Sequence, residues 1–349
     1  MKLISLITTV MLSFPMGGFA HTVDSLPGSP VNEVVTVTPV DTTAGVTVRK
    51  VAYLRSNNIV IVGNLFLPPK FDADSKYPTI LCVHPAGSVK EQSSGLYAYK
   101  LAGQGFVTLA FDATYAGESG GTPRWTEAPY ERIEDIRYSI DYLVTLPFVD
   151  EKAIGALGLC AGGGYVIGTA PTDRRIQAVA GVSAADIGAA NRESWLRGRS
   201  VEEQIRLLED VSDQRTKEAR GEPLMKVYMC PEPTAETAPS FREGYDYYRT
   251  PRAMHPRADN FYLRRSQATK MAFSAIENIY LLTQPVLLIA GQNADSDWQT
   301  QRFYEALPGE NNELYIIPEA SHIQLYDHPK YVGVAVEKLT NFFNRTLKH

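Results

Sequence analysis

The sequence predicts an α/β protein: a doubly wound, mostly parallel sheet with a helical cap insertion. Three observations lead there. Short, continuous apolar runs recur along the chain, the pattern of strands covered on both faces. Helical stretches separate them, long enough to serve as crossovers between parallel strands. The alternation then stops between about 186 and 280 and resumes afterwards, so one long segment is inserted between two strands of the sheet.

In chain order, Lys2 gives a positive start, the stretch from Leu3 to Phe14 is mostly apolar, and Gly18-Phe19-Ala20 offers small residues for cleavage. This pattern predicts a signal peptide over 1–20, and hence a secreted or periplasmic mature chain. The apolar run is well short of the roughly 20 residues that a membrane span needs. A polar lead-in segment follows over 21–45. The core is expected at 46–186 and 281–349, with the cap insertion at 187–280. Strands are predicted over 46–54 and 59–66, joined by Ser56-Asn57-Asn58, and over 79–83. A helix over 96–101 ends near Gly103, and the next strand, 106–111, opens into a loop over 113–125. The clearest amphipathic helix is 132–146, with Ile133, Ile136, Ile140, Leu143 and Val144 on one face. Strand 154–159, helix 165–170 and strand 176–182 complete the first part. The insertion carries a charged helical stretch over 201–211 and a part rich in Pro, Arg and Tyr, including Tyr245, Tyr247, Tyr248, Arg249 and Arg252. Strand 285–290, helix 299–307, strand 313–317 and helix 332–343 close the chain.

Bulk properties narrow the function. The 349 residues are 44% hydrophobic and 21% charged, ordinary values for a globular chain. A net charge of −5 with no run of lysine or arginine argues against nucleic acid as a partner. No metal-ligand spacing or dinucleotide fingerprint is present, and Gly162-Gly163-Gly164 lacks the lysine-serine of a phosphate loop, so no cofactor and no metal are expected. The three cysteines, Cys82, Cys160 and Cys230, leave at least one thiol free. Cys82 lies within a predicted buried strand.

The chemistry converges on Gly158-Leu159-Cys160-Ala161-Gly162, a G-x-C-x-G corner between a strand and a helix. This is a nucleophile elbow with cysteine in place of serine, and the helix N-terminus beneath the thiol should favour thiolate. A nucleophile of this kind needs a base, an acid that orients the base, and donors for an oxyanion. His322 follows the last strand, in the expected order after nucleophile and acid. For the acid, Asp295 in the loop after strand 285–290 is the nearest fit; Asp297 in the same loop and Asp186 after strand 176–182 are alternatives. The Ala161 N–H follows the nucleophile directly. In His84-Pro85-Ala86-Gly87-Ser88, proline has no N–H, so Ala86 is the second expected donor, with Gly87 next. His84 and Glu118 are further candidates for lining the site.

Several stretches resemble the α/β-hydrolase superfamily, specifically its dienelactone-hydrolase-like branch with cysteine at the elbow and, within it, the polyketide-transferase-like hydrolases. They are Phe111-Asp112-Ala113, Gly117-Glu118-Ser119-Gly120-Gly121, the elbow itself through Tyr165, Val182-Ser183-Ala184-Ala185-Asp186, Arg249-Thr250-Pro251-Arg252, and Ala320-Ser321-His322 with Leu325-Tyr326-Asp327. The resemblance runs over about 46–347 and implies the α/β-hydrolase fold with Cys160 and His322 in the active site. The expected activity is cleavage of an ester, thioester or lactone through an acyl-enzyme, on a small-molecule acyl substrate. The alternatives are an acyltransferase using the same residues and a non-catalytic thiol, redox or binding protein.

Overall fold

The computed structural model describes residues 31–32, 45–258 and 260–348. The expected signal peptide, and the lead-in segment apart from residues 31–32 and 45, lie outside the described residues. Strands β1 (Val31–Asn32), β2 (Thr47–Leu54), β3 (Val60–Leu67) and β4 (Tyr77–Val83) open the chain. Helix α1 (Ser93–Ala102), β5 (Val107–Phe111), α2 (Pro129–Leu143), β6 (Val149–Leu159), α3 (Ala161–Thr169) and β7 (Ile176–Val182) follow. Residues 187–280 contain α4 (Ile187–Glu193), α5 (Val201–Ala219), β8 (Lys226–Tyr228), α6 (Pro239–Arg249), β9 (Phe261–Leu263) and α7 (Ser266–Ala272). The chain then returns through β10 (Val286–Gly291), α8 (Asp297–Ala306), β11 (Asn312–Ile317), the single turn α9 (Gln324–Asp327) and α10 (Pro329–Leu347).

Among the described residues the central sheet has nine strands in the order β1-β2-β3-β5-β4-β6-β7-β10-β11. The strands from β5 to β11 run parallel, while β1, β2 and β3 pair antiparallel at one edge. The fold is thus the doubly wound, mostly parallel sheet that the alternation predicts. The lead-in segment contributes to it: Val31 and Asn32 pair with Ala52 and Val51 on the sheet edge. The insertion is less purely helical than expected, since β8 and β9 form a small antiparallel ladder.

Side-chain alternation explains the two layers. Leu81 and Val83 of β4 join Ile154 and Ala156 of β6 in the cluster beneath α2 and α3. Ile80 and Cys82 point the other way, with Leu157 and Leu159, into the cluster beneath α1 and α10. Both faces are therefore dry, which is why these strands read as unbroken apolar runs. Each Leu, Ile or Val among them contributes about 1.5–3 kcal/mol by leaving water. On α2, Ile133, Ile136, Ile140 and Leu143 are buried as their spacing predicts. Val144 is exposed instead, because the helix ends at Leu143 and Val144 is its C-terminal cap. No helix of the described residues is long and apolar enough to cross a membrane.

Parallel strands deliver their C-terminal ends to one edge of the sheet, where open α/β folds bind ligands. The loops leaving β4, β6, β10 and β11 carry Ala86, Cys160, Asp295 and His322 respectively.

Candidate active site

The elbow is forced by close backbone packing. A Cβ added to Gly158 would lie 2.2 Å from the Gly162 carbonyl oxygen, and one added to Gly162 would lie 2.3 Å from the Val83 carbonyl oxygen. Only hydrogen fits at both positions, so β6 can turn directly into α3 against the end of β4. Cys160 occupies the apex with φ 50° and ψ −122°. Such backbone conformations cost a side-chain-bearing residue about 1–3 kcal/mol and cluster at functional sites. The apex is locked from outside: Cys160 N–H donates to Val182 O at 3.0 Å, and its carbonyl accepts from Ala185 N–H at 2.9 Å.

Cys160 borders a cavity of about 290 Å³ together with Ala86, His322 and Tyr326. Cys82 and Cys230 are buried, and all three thiols are free. The expectation that the helix N-terminus holds Cys160 as a thiolate is not met. Burial pushes its pKa up to about 11, against the opposing pull of the Tyr326 hydroxyl and the Ala161 N–H. Desolvation outweighs a partial charge at a helix end, so the resting group is a thiol.

The loop expected to carry the oxyanion donors is fixed from below by His84. Its Nδ1 lies 2.6 Å from Pro85 O, and its Nε2 accepts from Ala113 N–H at 3.2 Å, which places the proton on Nδ1. Burial and the adjacent Arg132 hold its pKa well below the ordinary value, so the ring is neutral. Arg132 donates to His84 O at 2.6 Å and stacks over Tyr165 at 4.9 Å. Tyr165 in turn donates to Glu127 at 2.7 Å. His84 therefore shapes the loop that presents Ala86 and does not line the cavity. The Ala161 N–H, as the first amide of α3, has no acceptor within its helix.

The expected base, His322, borders the same cavity. His322 is 1% exposed, and burial holds its pKa below the ordinary value while nearby Asp295 pulls the other way. Asp295 does not bond it directly. The atom at His322 Nδ1 is Ser296 Oγ, 2.5 Å away. The Asp295 carboxylate turns instead toward the cap, accepting from Trp195 Nε1–H at 3.0 Å, from Ser240 N–H at 3.0 Å and from the Ser240 hydroxyl. The acid predicted to orient the imidazole by a hydrogen bond thus acts on it through space.

The other candidates are engaged elsewhere. Asp186 caps α4, accepting from Gly188 N–H at 2.8 Å and Ala189 N–H at 3.2 Å, and reaches Ala275 N–H across the cap junction. Asp297 starts α8 and accepts from Gln301. Glu118 pairs with Lys50, Lys90 and Arg257 and makes no contact with the thiol. Among the described residues, Glu91, Asp112 and Glu118 converge closely enough to suit a metal ion. The Lys90 ammonium already sits among them, at 2.7, 2.8 and 2.6 Å.

Three neighbours of His322 were given no role by the sequence, although Tyr326 lies in one of the resembling stretches. Ser296 differs from the favoured acid by one position in the same loop. Trp195 projects from the cap, its ring edge-on to His322 at 5.2 Å. Tyr326 places its hydroxyl 3.1 Å from His322 Nε2; its four-residue spacing from His322 on a helical turn was the available signal. Farther along the cavity, Lys270 packs its Nζ 3.2 Å from the Tyr262 ring, and burial lowers its pKa to about 7, with Glu127 opposing.

The comparisons with known proteins agree with this architecture. Residues 63–185 match the model of the dienelactone hydrolase family. The uncharacterized protein YcjY of Escherichia coli (strain K12) is 41% identical over 308 residues, covering 86% of this chain and 99% of that protein. The uncharacterized protein PA2218 of Pseudomonas aeruginosa is 36% identical over 309 residues, or 86% of this chain and 81% of that one. The crystal structure of PA2218 aligns with a TM-score of 0.83 at 33% identity, covering 90% of this chain and 99% of that chain. The thiohydrolase aneE of Aspergillus aculeatus is 29% identical over 136 residues, 39% of this chain and 41% of that protein. With the parallel sheet, the glycine-locked elbow and these matches together, the chain belongs to the dienelactone hydrolase family and is a hydrolase acting on ester-type bonds.

Proposed function

We propose that the protein hydrolyses an ester, thioester or lactone through a covalent acyl-enzyme on Cys160. The observation that carries this reading is the strained elbow, which holds a thiol outside any disulfide at the wall of a cavity that His322 also borders. Cys160 supplies the nucleophile and His322 accepts its proton. Ser296 holds the imidazole through Nδ1, and the Asp295 charge stabilises the imidazolium that forms. The amides of Ala161 and Ala86 are the donors for the tetrahedral oxyanion. A water then releases the acyl group, with His322 as its base.

A sulfur nucleophile favours activated acyl groups, because thiolate is itself a good leaving group from the tetrahedral intermediate. The similarity to a protein named thiohydrolase supports thioesters as the first class to try. The N-terminal pattern of Lys2, the apolar stretch from Leu3 to Phe14 and Gly18-Phe19-Ala20 supports export.

The test is hydrolysis of p-nitrophenyl and thiophenyl esters by the wild type and by Cys160→Ala and Cys160→Ser. Loss of turnover in Cys160→Ala, with an acyl adduct on Cys160 in the wild type by mass spectrometry, is the expected result. Full activity in Cys160→Ala would overturn the mechanism. A mature N-terminus at His21 in the exported fraction is the corresponding expectation for localisation.

A further inference from the structure

Proton transfer from Cys160 to His322 leaves one polar group at the nucleophile without a role. Tyr326 is 1% exposed and sits one helical turn beyond His322, on the same side of the chain. Its backbone N–H donates to Ile323 O at 2.9 Å, and Tyr97 ties the preceding residue by donating to Leu325 O at 2.7 Å. Tyr247 and Tyr248 pack edge-on against its ring, at 5.4 and 6.4 Å. A ring held on these sides keeps its hydroxyl in one place. That hydroxyl is 3.1 Å from His322 Nε2 and makes a hydrogen-bonding contact with the Cys160 thiol. The phenol therefore occupies the position between nucleophile and base.

We propose that the Tyr326 hydroxyl is a catalytic proton relay between Cys160 and His322. This rests on the Cys160 and His322 roles assigned under the proposed function. In the arrangement that transfers the proton, the S–H donates to the tyrosine oxygen, the tyrosine O–H donates to Nε2, and Nδ1–H donates to Ser296 Oγ. During attack the S–C bond forms and the carbonyl π pair moves onto oxygen, facing the Ala161 and Ala86 amides. The S–H bond breaks and its proton joins the tyrosine oxygen. The former tyrosine proton moves at the same time to Nε2. Tyr326 is a neutral phenol before and after, and the positive charge appears on His322. The reverse shift returns one proton from Nε2, through the same oxygen, to the leaving group.

Burial favours this concerted passage over a phenolate intermediate, because it holds the Tyr326 pKa well above that of a free phenol. A space-filling tyrosine would need neither bond, and Leu or Phe would pack as well among these rings.

Tyr326→Phe removes one oxygen and keeps the ring. Two readouts separate a relay from packing. The first is alkylation of Cys160 by iodoacetamide at neutral pH, followed by mass, which needs no acyl substrate. The relay predicts a rate at least about tenfold below the wild type, the low side of what a positioned proton-transfer group supplies. The second is the rate of acylation by p-nitrophenyl acetate in H2O–D2O mixtures. The relay predicts a curved dependence in the wild type, from two protons in flight, and a linear one in Tyr326→Phe. Alkylation of Tyr326→Phe at or above the wild-type rate would overturn the proposal, since the hydroxyl would then be filling space or blocking His322 from the thiol. Should the variant fail to fold, 3-fluorotyrosine placed at position 326 makes the phenol more acidic with little change in shape. A changed alkylation rate supports the relay, and an unchanged rate overturns it. If alkylation depends on Tyr326 while the wild type turns over no ester, the relay stands and the hydrolase mechanism falls.

Discussion

Ser296 Oγ lies 2.5 Å from His322 Nδ1, the place where a carboxylate would be expected to hold the imidazole. Asp295, its neighbour in the chain, is occupied by Trp195 and Ser240 of the insertion. Hydrogen bond and charge are thus divided between two adjacent residues, and the charge is steered from the cap. A directly bonded triad acid is worth about 10⁴ in kcat when converted to its amide. Here Asp295→Asn is expected to lower kcat by only roughly tenfold, since it removes a through-space charge and leaves the Nδ1 bond intact. Because the Asp295 charge raises the His322 pKa, its removal should move the acid limb of the kcat profile to lower pH. A loss near 10⁴, or an acid limb moving upward, would show that Asp295 swings onto Nδ1 during turnover.

The thiol state gives a second prediction. With the Cys160 pKa near 11, the thiolate fraction grows about tenfold per pH unit throughout the neutral range. The rate of inactivation by iodoacetamide should therefore climb steadily from pH 7 to 10 without a plateau. A plateau by pH 7 would instead indicate a preformed thiolate–imidazolium pair.

Much of the sheet was legible because burial leaves a local trace. A strand covered on both faces, such as 79–83, must be apolar at every position, and the face of α2 announces itself through Ile133, Ile136 and Ile140. The elbow was legible for a related reason, because only glycine fits beside neighbouring carbonyls. What stayed hidden depends on how distant segments meet. Whether Asp295 or Ser296 faces His322 is decided by Trp195 and Ser240, about 100 and 55 residues away. The protonation of Cys160 likewise follows from how far folding takes the thiol out of water, which no helix-end argument contains. β1 was missed because its two residues are defined by pairing with β2 and carry no pattern of their own.

Two glycine substitutions with opposite outcomes test the packing at the elbow. At Gly162 an added methyl would collide with the backbone oxygen of Val83, 2.3 Å away, which cannot move without shifting β4. Gly162→Ala should cost more than about 3 kcal/mol or prevent soluble expression. Gly333 lies exposed in α10 with nothing within 4 Å of an added Cβ. Gly333→Ala should stabilise by about 1 kcal/mol, since alanine has less backbone freedom to lose in a helix. Denaturant titration of both variants checks the pair, and a harmless Gly162→Ala would contradict the close approach of α3 to β4.

Lys270 supplies a prediction on stability and pH. Its pKa falls from 10.5 to about 7 because the ammonium is buried against Tyr262, with Glu127 only partly compensating. The unfolded chain therefore binds a proton between pH 7 and 10.5 that the folded chain has released. Below pH 7 both states carry the charge, and the folded state bears the whole desolvation penalty. As pH rises through 7 toward 10.5 that penalty disappears, so this group makes the native state more stable with increasing pH. Its slope is at most about 1.4 kcal/mol per pH unit. Lys270→Met has no such penalty. The variant should exceed the wild type in stability most clearly at or below pH 7, with the gap narrowing steadily to pH 10. Denaturant midpoints of the two proteins across that range measure it, and a gap that stays constant or widens would mean that Lys270 keeps its proton in the folded protein.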